Sequence, residues 1–332
     1  MISRYLTSRD ENNQQSNEEN LYEDEENIEE LPLKWYQKVF KAVFPLKTDP
    51  KSEIIRKLIL IFAVPIFLIS GFFVTKYYID SYNNDQLIQS LKNKYNETTT
   101  VPQEKKDEIG YPSDYIDSFF ELYKQNKDVK GYIKIDGTAI DFPIVQYTDN
   151  DYYLRRDFNK KNSDHGIPFF DFRVDLKRPA TNFLIYGHNM HDKQMFNEIL
   201  NYKNLDYYKN HPIITMDTVY EKSQWKVFAA YVANASSEDG PVFQYHNFIN
   251  CTNETIYNNF IDQVELRSII QTGVDVKYGD QLLTLSTCTY EIGSGRFVVM
   301  ARKVRPGEST SVNTSSATLN PAPLYPDKWY EK

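Results

Sequence analysis

Residues 284–288 read TLSTC, and an arginine, Arg296, follows a turn that holds Gly293 and Gly295. Cys288 ends a short apolar run with the pattern of a β-strand, and Arg296 opens the next run. If the two runs pair as antiparallel neighbours, the thiol and the guanidinium stand together at one end of a sheet. Nucleophilic catalysis by cysteine needs a thiolate, a proton shuttle and a donor for the oxyanion that develops in the transition state. Arginine suits the last task, being permanently charged and carrying several N–H donors. A cation beside a thiol also favours its thiolate. For the shuttle there are five histidines. His188 ends the strand-like NFLIYGH, His165 precedes a strand, His191 sits in a loop, His211 begins a strand and His246 lies in a polar stretch. Each residue also has a plainer reading: a cysteine in the core, an arginine on a solvated face, a histidine at a strand end.

Metal chemistry is poorly served. No CxxC occurs, and His188 and His191 lie three apart in a loop without an obvious carboxylate partner. The reading therefore takes no metal and no cofactor. With only two cysteines in 332 residues, no disulfide framework exists. Cys251, in the polar stretch NFINCTNET, reads as a bystander. The formal net charge of −8 argues against nucleic acid as a partner.

The elements that must position these residues lie between about 111 and 304. GYIKIDGTAIDFPIVQ alternates apolar and polar residues about Gly137, as a hairpin does. HGIPFFD, TNFLIYGH, HPIITMD, QWKVFAAYVA, DQLLTLSTC and RFVVMARKV read as further strands. Helical patches fall at NDYYLRRDF, KQMFNEILNY and NETIYNNFIDQVELRSII. Strands dominate and do not alternate regularly with helices, so a mainly β barrel with added helices is expected rather than a doubly wound sheet.

Outside this domain the composition changes abruptly. Residues 1–57 form an acidic and then a basic tail; the first 30 are too polar to bury a core and read as disordered. Residues 58–75 carry no charge in the run LILIFAVPIFLISGFFV, long enough to read as a membrane-spanning helix. Lysines and arginines cluster before it, which places the N-terminus in the cytoplasm and everything after about residue 76 outside. Residues 76–110 read as an extracellular, partly helical stalk, with a helix packed on the domain as the competing reading for 80–95. Residues 305–332, rich in Ser, Thr and Pro, read as a flexible tail without a core of its own.

TLSTC with a downstream arginine resembles the sortase signature, and YGHNM resembles the sortase histidine motif. The resemblance covers about 111–304. GYIKIDGTAIDFPIVQ, NDYYLRRDF, GIPFFD and the helix-bearing insertion at about 234–280 resemble class B members in particular. It implies an eight-stranded barrel and cysteine transpeptidase chemistry, with Cys288 as nucleophile, His188 as general acid and base, and Arg296 as oxyanion stabiliser. It further implies cleavage of a C-terminal sorting motif in exported proteins through a thioacyl-enzyme. The acceptor would be an amine of a lipid-linked peptidoglycan precursor. Ser286, Thr287, Tyr290 and Asn150 are expected to line the substrate groove. Class B members often carry an acidic residue directly after the cysteine; here it is Thr289, with Glu291 two further on. A pilin-polymerising enzyme of the same class and an inactive scaffold with the same fold are the alternatives. A papain-like protease is disfavoured, because there the cysteine lies on a helix near the start of the domain with the histidine later, whereas here His188 precedes Cys288 and both end strands.

Overall fold

The computed structural model describes residues 34–331 apart from 179, so the acidic segment 1–33 lies outside the described residues. The chain divides into two compact units, Met1–Lys76 and Tyr77–Lys332.

In the first unit, helix α1 (Trp35–Val43) precedes the start of a long helix, α2 (Lys51–Glu97). The apolar part of α2 has a mean hydropathy of 2.6 over its best 18-residue window and none of that window is buried, so by length and composition it can cross a membrane. Pro65 sits inside it.

In the second unit, the stretch expected as a stalk is helical through Glu97 and packs on the domain: Ile88, Leu91 and Tyr95 are buried in the main core. Their i, i+3, i+7 spacing puts them on one helix face. Tyr95 stacks on Tyr132 at 3.8 Å between ring centres and donates to Asp217 at 2.5 Å. Helices α3 (Gln103–Ile109) and α4 (Phe120–Gln125) follow.

Eight strands then close into a barrel. They are β1 (Val129–Lys134), β2 (Asp141–Val145), β3 (Phe169–Phe170), β4 (Asn182–Tyr186), β5 (Ile213–Thr218), β6 (Gln224–Asn234), β8 (Leu282–Cys288) and β9 (Gly295–Lys303). Their order around the barrel is β1-β2-β3-β4-β8-β9-β6-β5. The expected hairpin is β1–β2, in register from Lys134↔Asp141. Two pairings are parallel, β2–β3 and β4–β8, and the others are antiparallel. Strand β6 is buried at every position but its first, because one face meets the barrel interior and the other is covered by elements outside the barrel. Among those elements are a 3-10 segment (Phe196–Lys203), which leads into a short helix, α5 (Leu205–Asn210), and the helix α6 (Glu254–Arg267).

The segment from 305 departs from the free tail its composition suggests. Glu308 receives both Arg302 Nη1 and Nη2 at 2.7 Å and Lys226 Nζ at 2.7 Å. Strand β10 (Thr318–Leu319) pairs with β7 (Ile270–Gln271), and Ala317 is buried. Backbone pairing, ion pairs and the scattered packed residues Ala317, Tyr325 and Trp329 hold this segment, and none of these leaves a periodic hydrophobic pattern in the sequence.

Candidate functional site

The register of β8 and β9 sets Cys288 opposite Arg296 as the last pair of the ladder. Side chains of directly opposed residues share a face and lie about 5 Å apart at Cβ. The turn between them is pinned on both sides. Thr289 N donates to Gly295 O at 3.1 Å, Ser294 N to Asp239 Oδ2 at 3.1 Å, and Glu291 holds both Thr289 Oγ1 at 2.9 Å and Lys203 Nζ at 2.5 Å. The acidic residue of this turn is therefore engaged with Lys203 and Thr289. Arg296 donates from Nη1 to Gly295 O at 3.0 Å and more weakly to Ser294 O at 3.4 Å. None of its hydrogen bonds among the described residues uses Nε or Nη2, so that edge of the guanidinium remains for a ligand.

His188 reaches the same place along a different strand. Strands β4 and β8 run parallel, with Tyr186 level with Ser286, so His188 and Cys288 each stand two residues beyond that pair. Nε2 of His188 lies 2.7 Å from the carbonyl of Leu154. A carbonyl only accepts, so Nε2 carries the hydrogen and, in the neutral ring, the lone pair sits on Nδ1. Burial lowers the His188 pKa, against the pull of the Leu154 carbonyl, which favours the charged form. Two glycines leave room for this arrangement. Gly166 has φ +59°, and a Cβ there would meet the carbonyls of Tyr153 at 2.6 Å and Leu154 at 2.9 Å and His188 Cδ2 at 3.2 Å. A Cβ on Gly187 would meet the ring of Phe196 at 2.6 Å.

The loop after His188 ties histidine and cysteine together. Asn189 Nδ2 donates to the Cys288 carbonyl at 3.0 Å, while its Oδ1 accepts from Asn197 Nδ2 at 2.6 Å. The loop contains two non-glycine residues with positive φ, Lys193 at 66° and Met195 at 54°, a conformation that its surroundings must hold. Gln194, between them, supplies that hold: Nε2 donates to Ser81 O at 3.1 Å and Ser81 Oγ at 2.9 Å, and Oε1 accepts from Asn84 at 2.5 Å. Asp192 faces buried His165, Nε2 to Oδ2 at 2.7 Å. Burial alone would raise the Asp192 pKa, but hydrogen bonds from His165 and Ser81 outweigh it and keep the carboxylate ionised.

Among the described residues a cleft of about 250 Å³ opens at this end of the barrel. Its lining includes Cys288, His188, Arg296, Ser286, Thr287 and Asn150. Ser286 and Thr287 are buried, and their hydroxyls are already engaged: Ser286 Oγ with Tyr245 OH at 2.8 Å, Thr287 Oγ1 with Gly187 O at 2.7 Å. Asn150 donates to Asp171 at 3.0 Å and accepts from Phe172 N at 3.0 Å, so it also braces the wall it belongs to. Tyr290 is not among the lining residues. It is 63% exposed, stacks on His191 at 4.9 Å and donates to Asn189 O at 2.7 Å, which makes it a brace for the loop. Sequence reasoning missed Leu154, Gly166, Asp192, Gln194 and Tyr245, all of which act through contacts distant in sequence. Both cysteines are free thiols, and Cys251 Sγ donates to Asn253 O at 3.2 Å.

Comparison with known proteins meets this geometry directly. The family model described as a sortase domain matches residues 133–304. Sortase B of Staphylococcus aureus is 32% identical over 250 residues, covering 74% of this chain and 95% of that protein. The crystal structure of sortase B from Bacillus anthracis in complex with AAEK1 superposes with a TM-score of 0.59 at 30% identity, over 69% of this chain and 99% of that one. A Staphylococcus aureus sortase B–substrate complex gives 0.57 at 30% identity, over 68% and 99%. A cysteine, a histidine and an arginine converge on one cleft of a closed eight-stranded barrel, and the chain belongs to the sortase family as a cysteine transpeptidase of class B type.

Proposed function

We propose that this enzyme cleaves a C-terminal sorting motif of exported proteins at Cys288 and joins them to an amine of a lipid-linked peptidoglycan precursor. Sortases act on sorting-signal substrates and cell-wall amine acceptors at the cell surface. The observation that carries the residue roles is the cross-strand pair Cys288↔Arg296 at the barrel end where β4 delivers His188.

The neutral His188, its Nε2–H given to Leu154, takes the Cys288 proton on Nδ1. Sγ attacks the carbonyl carbon at the scissile bond, a C–S bond forms, and the carbonyl electron pair moves onto oxygen. Arg296 donates to that oxyanion. On collapse the C–N bond breaks, and the leaving nitrogen takes the proton from the His188 imidazolium. The acceptor amine then attacks the thioacyl carbon, returns a proton to His188 and expels the Cys288 sulfur. One amide bond is exchanged for another, without an oxidant or a cofactor. On the same proposal residues 58–75 form a single span with the N-terminus cytoplasmic, which leaves the catalytic domain on the outer side, where the acceptor resides.

Intact mass spectrometry of the full chain with a panel of sorting peptides tests this. An acyl adduct on Cys288 is expected with one peptide class and is absent in Cys288→Ala. An adduct that survives Cys288→Ala removes Cys288 from the mechanism. Cys251→Ser is expected to leave the adduct unchanged.

A further inference from the structure

Helix α1 has two unlike faces. At about 100° per residue, Trp35, Tyr36, Val39, Phe40 and Val43 fall on one side, and Gln37, Lys38 and Lys41 on the other. The apolar side is uncovered among the described residues: Trp35 is 77% exposed, and Tyr36, Val39 and Phe40 about half. Phe44 extends the same patch, stacked on Phe40 at 4.7 Å.

Nine residues rise only about 14 Å, too little to cross a bilayer. Nor does α1 run into α2. Phe44 is extended (φ −95°, ψ 136°), and Pro45 follows it. The connection is a fixed turn: Asp49 Oδ2 accepts from Leu46 N at 2.8 Å and from Lys57 Nζ at 2.6 Å, and Asp49 N donates to Leu46 O at 3.1 Å.

The charge is one-sided. From 34 to 57 the acidic residues are Asp49 and Glu53, paired with Lys57 and Arg56 respectively. Lys34, Lys38, Lys41, Lys47 and Lys51 have no ion pair among the described residues. A short helix with an aromatic face, a lysine face and surplus positive charge next to an apolar span matches the boundary of an anionic lipid leaflet in both polarity and sign.

We propose that α1 is an in-plane membrane helix that binds anionic phospholipid. Its aromatic face enters the acyl boundary, and its lysines lie among the headgroups. This rests on the membrane reading given above for residues 58–75.

The test is hydrogen exchange on the full chain in nanodiscs of phosphatidylcholine with or without phosphatidylglycerol. Amides of residues 36–44 are expected to be protected in the anionic discs and far less in the neutral ones. Each lysine contributes about fivefold to partitioning at an anionic surface, so Lys38→Gln with Lys41→Gln is expected to lower protection roughly 25-fold. Phe40→Glu should abolish it, with turnover of a soluble sorting peptide unchanged as the check on folding. Equal protection in both lipids overturns the anionic partner. Protection that scales with the number of chains per disc, or that vanishes on deleting residues 2–30, shows a second copy or that segment as the occupant and overturns the inference. If 36–44 exchange freely while 58–75 are protected, this inference fails and the membrane reading stands. If both exchange freely, both fail.

Discussion

Arg296 meets the thiol as a cross-strand neighbour, with one nitrogen already spent on backbone carbonyls. A lysine there keeps the charge but not the planar fork that serves the carbonyls and an oxyanion at once. Arg296→Lys is therefore expected to lower kcat on a sorting peptide about 100-fold or more, with thermal stability close to the parent. Turnover near the parent's would make Arg296 a structural residue. His188 gives a prediction with a definite sign. Burial lowers its folded-state pKa, so as pH falls below the unfolded value near 6.5 the unfolded chain binds a proton that the folded chain resists. Stability contributed by neutral His188 is thus present above that range and lost below it. Melting temperatures from pH 7.5 to 5.5 are expected to fall more steeply for the parent than for His188→Gln. Parallel slopes would mean that His188 titrates normally when folded.

Among the elements, the loop from Asn189 to Phe196 matters most, because it carries His188 at one end and touches the Cys288 carbonyl through Asn189. Its two positive-φ residues flank Gln194, whose amide is gripped by Ser81 and Asn84 of α2. Gln194→Ala removes the grip without touching the cleft, since Gln194 is not among its lining residues. Faster hydrogen exchange at 189–196 is expected, with kcat lowered between about threefold and 100-fold and KM little changed. An unchanged kcat would show that the loop holds its shape alone. At the other end of β9, Arg302 is almost fully buried and depends on Glu308 and Asp275. Glu308→Gln leaves that guanidinium short of charge and is expected to cost about 2 kcal/mol in denaturant unfolding. No measurable loss would mean that Asp275 and the carbonyls suffice.

On the scale of the whole molecule, the decisive question is where the folded unit begins. Composition puts the start near 111, whereas Ile88, Leu91 and Tyr95 lie in the barrel unit's core. Each such side chain contributes about 1.5–3 kcal/mol when fully buried. A chain of residues 77–332 is expected to be soluble, cooperative in unfolding and active on a sorting peptide. A chain of 111–332 is expected to melt at a much lower temperature or aggregate. Equal stability of the two would show that α2 adds nothing to the folded unit.

The sequence by itself determined that a cysteine and an arginine stand together at one end of a sheet. Cys288 and Arg296 are eight residues apart on a hairpin whose apolar alternation and glycine turn are local signals, so their meeting could be read without a fold. The β1–β2 hairpin was legible for the same reason. What only tertiary structure decided is the company these residues keep. His188 meets Cys288 through a parallel pairing of strands a hundred residues apart, and no local pattern encodes which strand lies beside which. The His165–Asp192 pair, the Gln194 grip on α2 and the path of the segment after 305 are long-range contacts of polar side chains and backbone. Hydrophobic periodicity records which face of an element is buried, not what buries it. The sequence therefore yielded a cysteine and the arginine opposite it, and only the folded chain supplied the neighbours that hold the histidine in place.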